Sequence, residues 1–136
     1  MASVLIAGAD PGGLAGLLEQ SGHTVRVAPL DAAPDEPVAV AGESDELDVL
    51  VNTAGLAPET FQAKVAGLAR TLQACLPALE RSAAPVVVNV SDPGSPLSEA
   101  AARVVEVEYA KAFPGVRIST SGDDAASIVR VVGREP

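Results

Sequence analysis

The segment VNVSDPGSPLSEAA, residues 88–101, puts Asp92, three serines and Glu99 where an apolar run gives way to a helical pattern. In an open α/β sheet, ligands and reacting groups gather at the carboxyl ends of the strands. Two carboxylates flanking a hydroxyl can move protons, so Asp92, Ser95 and Glu99 are the candidate catalytic residues. Lining a cleft, they would suit an isomerase, cyclase or dehydratase that works without nicotinamide. The same residues also read as helix-start chemistry. Ser95 is a good N-cap ahead of Pro96, and a carboxylate at Glu99 favours the first turn. Glu99 and Arg103 have the spacing of a helical ion pair, and Asp92-Pro93-Gly94 is turn composition. Capping and surface pairing account for every polar residue in the segment.

Other candidates are fewer. AGADPGGL (7–14) holds Gly8 and Gly12 in a glycine-rich turn that could approach a phosphate, or that simply turns the chain. His23 has no second His or Cys at ligand spacing, so no metal site is expected. Cys75, the single cysteine, reads as helix packing. The acidic run ESDELD (43–48) reads as a solvated connection, and Asn52 as a brace between adjacent strands.

These residues need elements to hold them. SVLIAG (3–8) is a continuous apolar run ending in Gly, the mark of a strand buried on both faces. TVRVA (24–28), PVAVAG (37–42), DVLVNTAG (48–55), PVVVNV (85–90) and GVRIST (115–120) are five more strand-like segments. Between them lie helical patterns at 12–21, from about Pro58 to Glu80, at 96–112, and from Asp123 to about Val132. Such alternation implies one domain, residues 1–136, built on a parallel sheet with helices on both faces.

On 58–80, Phe61, Val65, Leu68, Leu72, Leu76 and Leu79 form one stripe expected to face the sheet. Ala63, Ala66, Gly67 and Ala74 form a second, small-residue side on which another helix could approach. On 96–112, Leu97, Ala101, Val104, Val105, Val107 and Tyr109 spread over more than half the circumference. A helix apolar over that much of its surface is expected at an oligomer interface.

Composition narrows the classes. The 136 residues are 48% apolar with two Phe, one Tyr and no Trp, so the core must be Val, Leu, Ile and Ala. That Ala-, Val- and Gly-rich palette suits a high-GC bacterial genome. Acids outnumber bases 18 to 9, for a net charge of −9, which disfavours nucleic acid and anionic membrane as partners. One cysteine and no signal-like or membrane-spanning run fit a reducing cytoplasm.

The order of segments resembles the short-chain dehydrogenase/reductase family. DVLVNTAG looks like that family's strand ending in Asn-Asn-Ala-Gly, with Thr53 for the second Asn. LPALERSAAPVVVNVS resembles its helix end and the strand leading to a catalytic serine, and PGVRISTSG its next strand and loop. The resemblance spans nearly the whole chain. It implies a compressed Rossmann-like, doubly wound α/β sheet of about six strands in the order 3-2-1-4-5-6. It also implies NAD(P) near Gly8, Gly12 and the loop of Asn52, Ala54 and Gly55. Much of the family's first helix, most of its third, its substrate loop and its final strand have no counterpart here.

The family's chemistry is hydride transfer with a Tyr, a Lys four residues on, a Ser and a helix Asn. Aligned here, Ser95 falls at the Tyr, Glu99 at the Lys, Asp92 at the Ser and Lys64 at the Asn. A serine hydroxyl is far too weak an acid to replace an activated phenol. Leu14 falls at the third glycine of the nucleotide turn, and Asp10 among its phosphate-facing positions. The expectation is therefore a degenerate, non-redox relative with no cofactor, acting as an oligomeric, partner or regulatory subunit. Helices 58–80 and 96–112, which commonly pair across a two-fold axis in the family, would form a homodimer or hetero-oligomer. The alternatives are the small non-redox enzyme above and a retained NAD(P)-dependent oxidoreductase.

Overall fold

In the computed structural model, residues 2–8, 11–28, 46–56 and 58–132 are described. Strand β1 (Ser3–Ala7) leads through a short 3-10 turn at Pro11–Gly13 into α1 (Leu14–Gln20), then β2 (Thr24–Ala28). There follow β3 (Val49–Asn52), α2 (Phe61–Glu80), β4 (Val86–Val90), α3 (Pro96–Ala112), β5 (Arg117–Ser121) and α4 (Ala125–Val132). The five strands are all parallel, in the order β2-β1-β3-β4-β5. This is the expected order with the segment 37–42 set aside, since the strand expected there falls outside the described residues.

The register explains why the strand sequences are apolar throughout. Leu5, Leu50, Val87 and Ile118 lie side by side across four strands. They pack under Leu68, Leu72, Cys75 and Leu79 of α2 and Ala101, Ala102 and Val105 of α3. Val4, Ile6, Val51 and Val88 belong to the other face, with Leu14 and Leu18 of α1 and Ile128 of α4. Both faces are covered, so a period-2 alternation of polar residues has no place.

Two differences from the sequence expectation have a clear physical cause. Helix α2 begins at Phe61 instead of near Pro58, because Thr60 is extended and its side chain caps the N–H of Ala63 at 3.1 Å. The run 43–48 does not end as a solvated connection. Leu47 is fully buried, and Asp48 accepts hydrogen bonds from the Ser3 N–H at 2.8 Å and the Ser82 hydroxyl at 2.6 Å. Those bonds tie the entry of β3 to β1 and to the segment before β4. Among the described residues, no helix is long and apolar enough to cross a membrane.

Candidate functional site

The sheet places the ends of β1, β3 and β4 beside the starts of α2 and α3. The three candidate catalytic residues, Asp92, Ser95 and Glu99, lie at or near this edge, and each has a partner. Ser95 is the N-cap of α3, its hydroxyl accepting the Ser98 N–H at 3.2 Å, with Pro96 opening the helix. Ser98 answers from inside the turn: it is buried, and its hydroxyl accepts the Asp92 N–H at 2.8 Å. The Asp92 carboxylate accepts the Gly94 N–H at 2.9 Å, closing the turn, and is exposed. Glu99 pairs with Arg103 at 3.3 Å, both groups more than half exposed. Ser98 is the participant that sequence reading missed. Its spacing from Ser95, a hydroxyl three residues after a cap, was the available signal.

Ser91, beside Asp92, is buried and bonded within the sheet. Its N–H and hydroxyl both donate to the Ser121 carbonyl, at 2.8 and 3.2 Å, binding the ends of β4 and β5 together.

The loop after β3 is clamped onto α2. The Asn52 side chain donates to the Leu68 carbonyl at 3.0 Å and accepts the Ala54 N–H at 3.2 Å. Asn52 therefore braces the strand end to a helix, and not two adjacent strands as its sequence position suggested. Thr53 donates to the Ala7 carbonyl at 2.8 Å, which joins β3 to β1. Lys64, buried in the first turn of α2, donates its ammonium to the Gly55 carbonyl at 3.0 Å. A side chain on Gly67 would bring its Cβ to 2.9 Å from the Ala54 carbonyl oxygen. Gly67 is thus a point of contact between helix and loop, which corrects its assignment to a free, small-residue helix side. Ala66, the next residue back, is exposed.

At the glycine turn, Gly8 has φ 118°, Gly12 φ 53° and Gly13 φ 77°, conformations that disfavour any side chain. The turn leads into α1, whose Leu14 is fully buried. A Cβ on Gly12 would lie 3.7 Å from that of Ala125, so the turn rests against the start of α4. Asp123 and Asp124 immediately precede that start and are exposed. Asp124 accepts the Ser127 N–H at 2.9 Å, and the Ser127 bonds hold its carboxyl below the ordinary aspartate value.

Deeper between sheet and α3, Asn89 is fully buried and donates to the Ala102 carbonyl at 3.3 Å. Its side-chain oxygen has no partner among the described residues. Glu106 accepts the Thr120 hydroxyl at 2.7 Å. His23 accepts the Ala2 N–H on Nδ1 at 3.1 Å. Cys75 is fully buried, and burial pushes its thiol up to about 12, with Arg26 pulling weakly the other way. Among the described residues no cluster of His, Cys, Asp or Glu could hold a metal ion.

By sequence, no family model and no curated protein matches the chain. Its shape does have counterparts. A 3-alpha-hydroxysteroid dehydrogenase from Pseudomonas sp. B-0831, solved with NADH, superposes with a TM-score of 0.64 at 22% identity, covering 89% of this chain and 72% of that one. Thermoplasma acidophilum aldohexose dehydrogenase gives 0.62 at 17%, covering 89% of this chain and 66% of that one. A short-chain dehydrogenase from Streptomyces avermitilis gives 0.60 at 18%, covering 98% and 78%. The chain has the short-chain dehydrogenase fold. Identity at this level carries architecture and not activity. Within this fold, β1 with its glycine turn, the clamped loop after β3, and the turn into α3 form one edge. It is the edge where the sequence resemblance located the family's chemistry.

Proposed function

We propose that this chain is a non-redox relative of the short-chain dehydrogenases, a pseudoenzyme that acts through assembly, as a homodimer or as the partner or regulatory subunit of another protein. One observation carries the reading: the polar groups at the family's reactive positions are engaged by the fold. Ser95 caps α3, Glu99 pairs with Arg103, Asp92 closes its own turn, and Lys64 holds the Gly55 carbonyl. No phenol stands beside an ammonium among them, and without that pair an alcohol's proton has no route as hydride leaves.

The dinucleotide that the fold implies also fits these residues poorly. Leu14 fills the core where a small residue would let the helix start close on the pyrophosphate. The helix behind the turn has seven residues, and the turn rests on α4 just after Asp123 and Asp124. Carboxylates beside a diphosphate repel it. The alternative of carboxylate acid–base chemistry is disfavoured by the same engagements, since Asp92 and Glu99 are exposed and already paired.

Support for assembly comes from α3. Leu97, Val104 and Val107 are 49%, 42% and 48% exposed on a helix whose opposite side is buried. The net charge of −9 favours a protein partner over nucleic acid, and a single, buried thiol suits the cytoplasm. The reading is tested by following nicotinamide absorbance with purified protein, NADH or NADPH, and a panel of ketones, aldehydes and sugars, and in reverse with alcohols. No turnover above the protein-free rate is expected. Turnover at about 1 s⁻¹ or faster, an ordinary enzymatic rate, would overturn it.

A further inference from the structure

We infer that the ammonium of Lys64 is the centre of a binding site for a small oxyanion, a carboxylate or a phosphate, at the edge where α2 begins beside the end of β3. The inference goes beyond the assembly reading above and does not depend on it.

A lysine ammonium has three protons to give. Lys64 is only 6% exposed, and one proton goes to the Gly55 carbonyl at 3.0 Å. The other two have no acceptor among the described residues. The charge has no partner there either, since the ion pairs join Arg103 to Glu99 and Lys111 to Glu108, all on α3. Glu59, the acid nearest along the chain, is exposed, and Asp92 closes its own turn. A buried charge is costly unless it is both paired and hydrogen-bonded. The Gly55 carbonyl takes a proton but carries no full charge, so Lys64 is left to be neutralised from outside.

The backbone adds to the same field. Lys64 lies in the first turn of α2, a 20-residue helix whose dipole is positive at that end, and no acidic residue occupies that turn. A second polar atom on this face of the sheet is also unmet. Asn89 is fully buried, and its Oδ1 has no partner among the described residues. In the register it stands beside Asn52, which bonds the Leu68 carbonyl one turn along α2 from Lys64. A buried water would satisfy Asn89. Water cannot neutralise Lys64; an anion does. With so little of Lys64 exposed, the ligand is compact, of the size of acetate or free phosphate, and not a diphosphate held between two riboses.

The test is thermal unfolding of the full chain in sodium acetate or sodium phosphate, against sodium chloride at equal ionic strength. A ligand that binds only the native state raises the midpoint as its concentration rises. A saturable rise is expected with at least one of the two oxyanions and not with chloride, and the stronger of the two separates carboxylate from phosphate. Lys64→Met keeps the apolar stem and removes a buried charge that lacks a counter-ion, so it should fold. It should weaken the oxyanion at least about 10-fold, the loss of a charge-assisted hydrogen bond. Amide NMR of the wild type needs no variant: shifts on adding the oxyanion should centre on Gly55 and residues 61–64.

No rise above the chloride control with either oxyanion would overturn the site. So would an equal rise in Lys64→Met, which is the mark of phosphate acting as an excluded salt. Amide shifts centred elsewhere, at the glycine turn for example, would overturn it as well.

Discussion

Ser95 shows most plainly how one residue can look catalytic and act structurally. Its hydroxyl takes one of the orphan N–H groups at the start of α3 while Ser98 holds the incoming turn. Ser95→Ala should therefore destabilise the fold by about 1 kcal/mol, within the usual range for losing a cap, as measured by urea unfolding. Restoration by Ser95→Asp, another good cap, separates capping from catalysis. Cys75 makes a second residue-scale prediction. Its folded thiol is raised to about 12 from an ordinary 9.0, so the fold favours the neutral form. That stabilisation is complete below about pH 9 and is lost as pH rises from there through 12. Iodoacetamide should accordingly leave the native protein unlabelled at pH 8 and label it only on unfolding. Rapid labelling of the native protein would contradict the burial.

Most of the elements could be read from the chain because each apolar run belongs to one layer. SVLIAG, VLVN and VVVNV are buried on both faces, and the α2 stripe of Leu68, Leu72, Leu76 and Leu79 lies where its period put it. What could not be read was contact between elements. Nothing local says that Gly67 touches the Ala54 carbonyl, that Asn52 reaches the Leu68 carbonyl, or that Lys64 is buried. Those facts depend on where the loop after β3 lands on α2. A paired substitution makes the point testable. Gly16→Ala, on the exposed side of α1 with nothing within 4 Å of the new Cβ, should stabilise the protein by up to about 1 kcal/mol. Gly67→Ala gains the same helix propensity but meets backbone at 2.9 Å, and should destabilise by about 1–3 kcal/mol. Thermal unfolding that moves the same way for both would show that α2 does not press on the loop.

For the whole molecule, the sheet order and both covered faces match the short-chain dehydrogenase fold, while the residues at its working edge are engaged in holding that edge together. The candidate site was legible as a place, because strand ends and helix starts mark it in the sequence. Its engagement was legible only in part: Ser95 and Glu99 follow local spacing rules, whereas Lys64, Ser91 and Asn52 reach partners distant along the chain. The deciding question is whether this edge still receives a pyridine nucleotide. Calorimetric titration of the purified protein with NADH and then NADPH, to millimolar concentration, asks that question without requiring a substrate. The expected result is no saturable heat for either nucleotide. A stoichiometric isotherm with a dissociation constant in the micromolar range would contradict the reading that this edge no longer takes the cofactor.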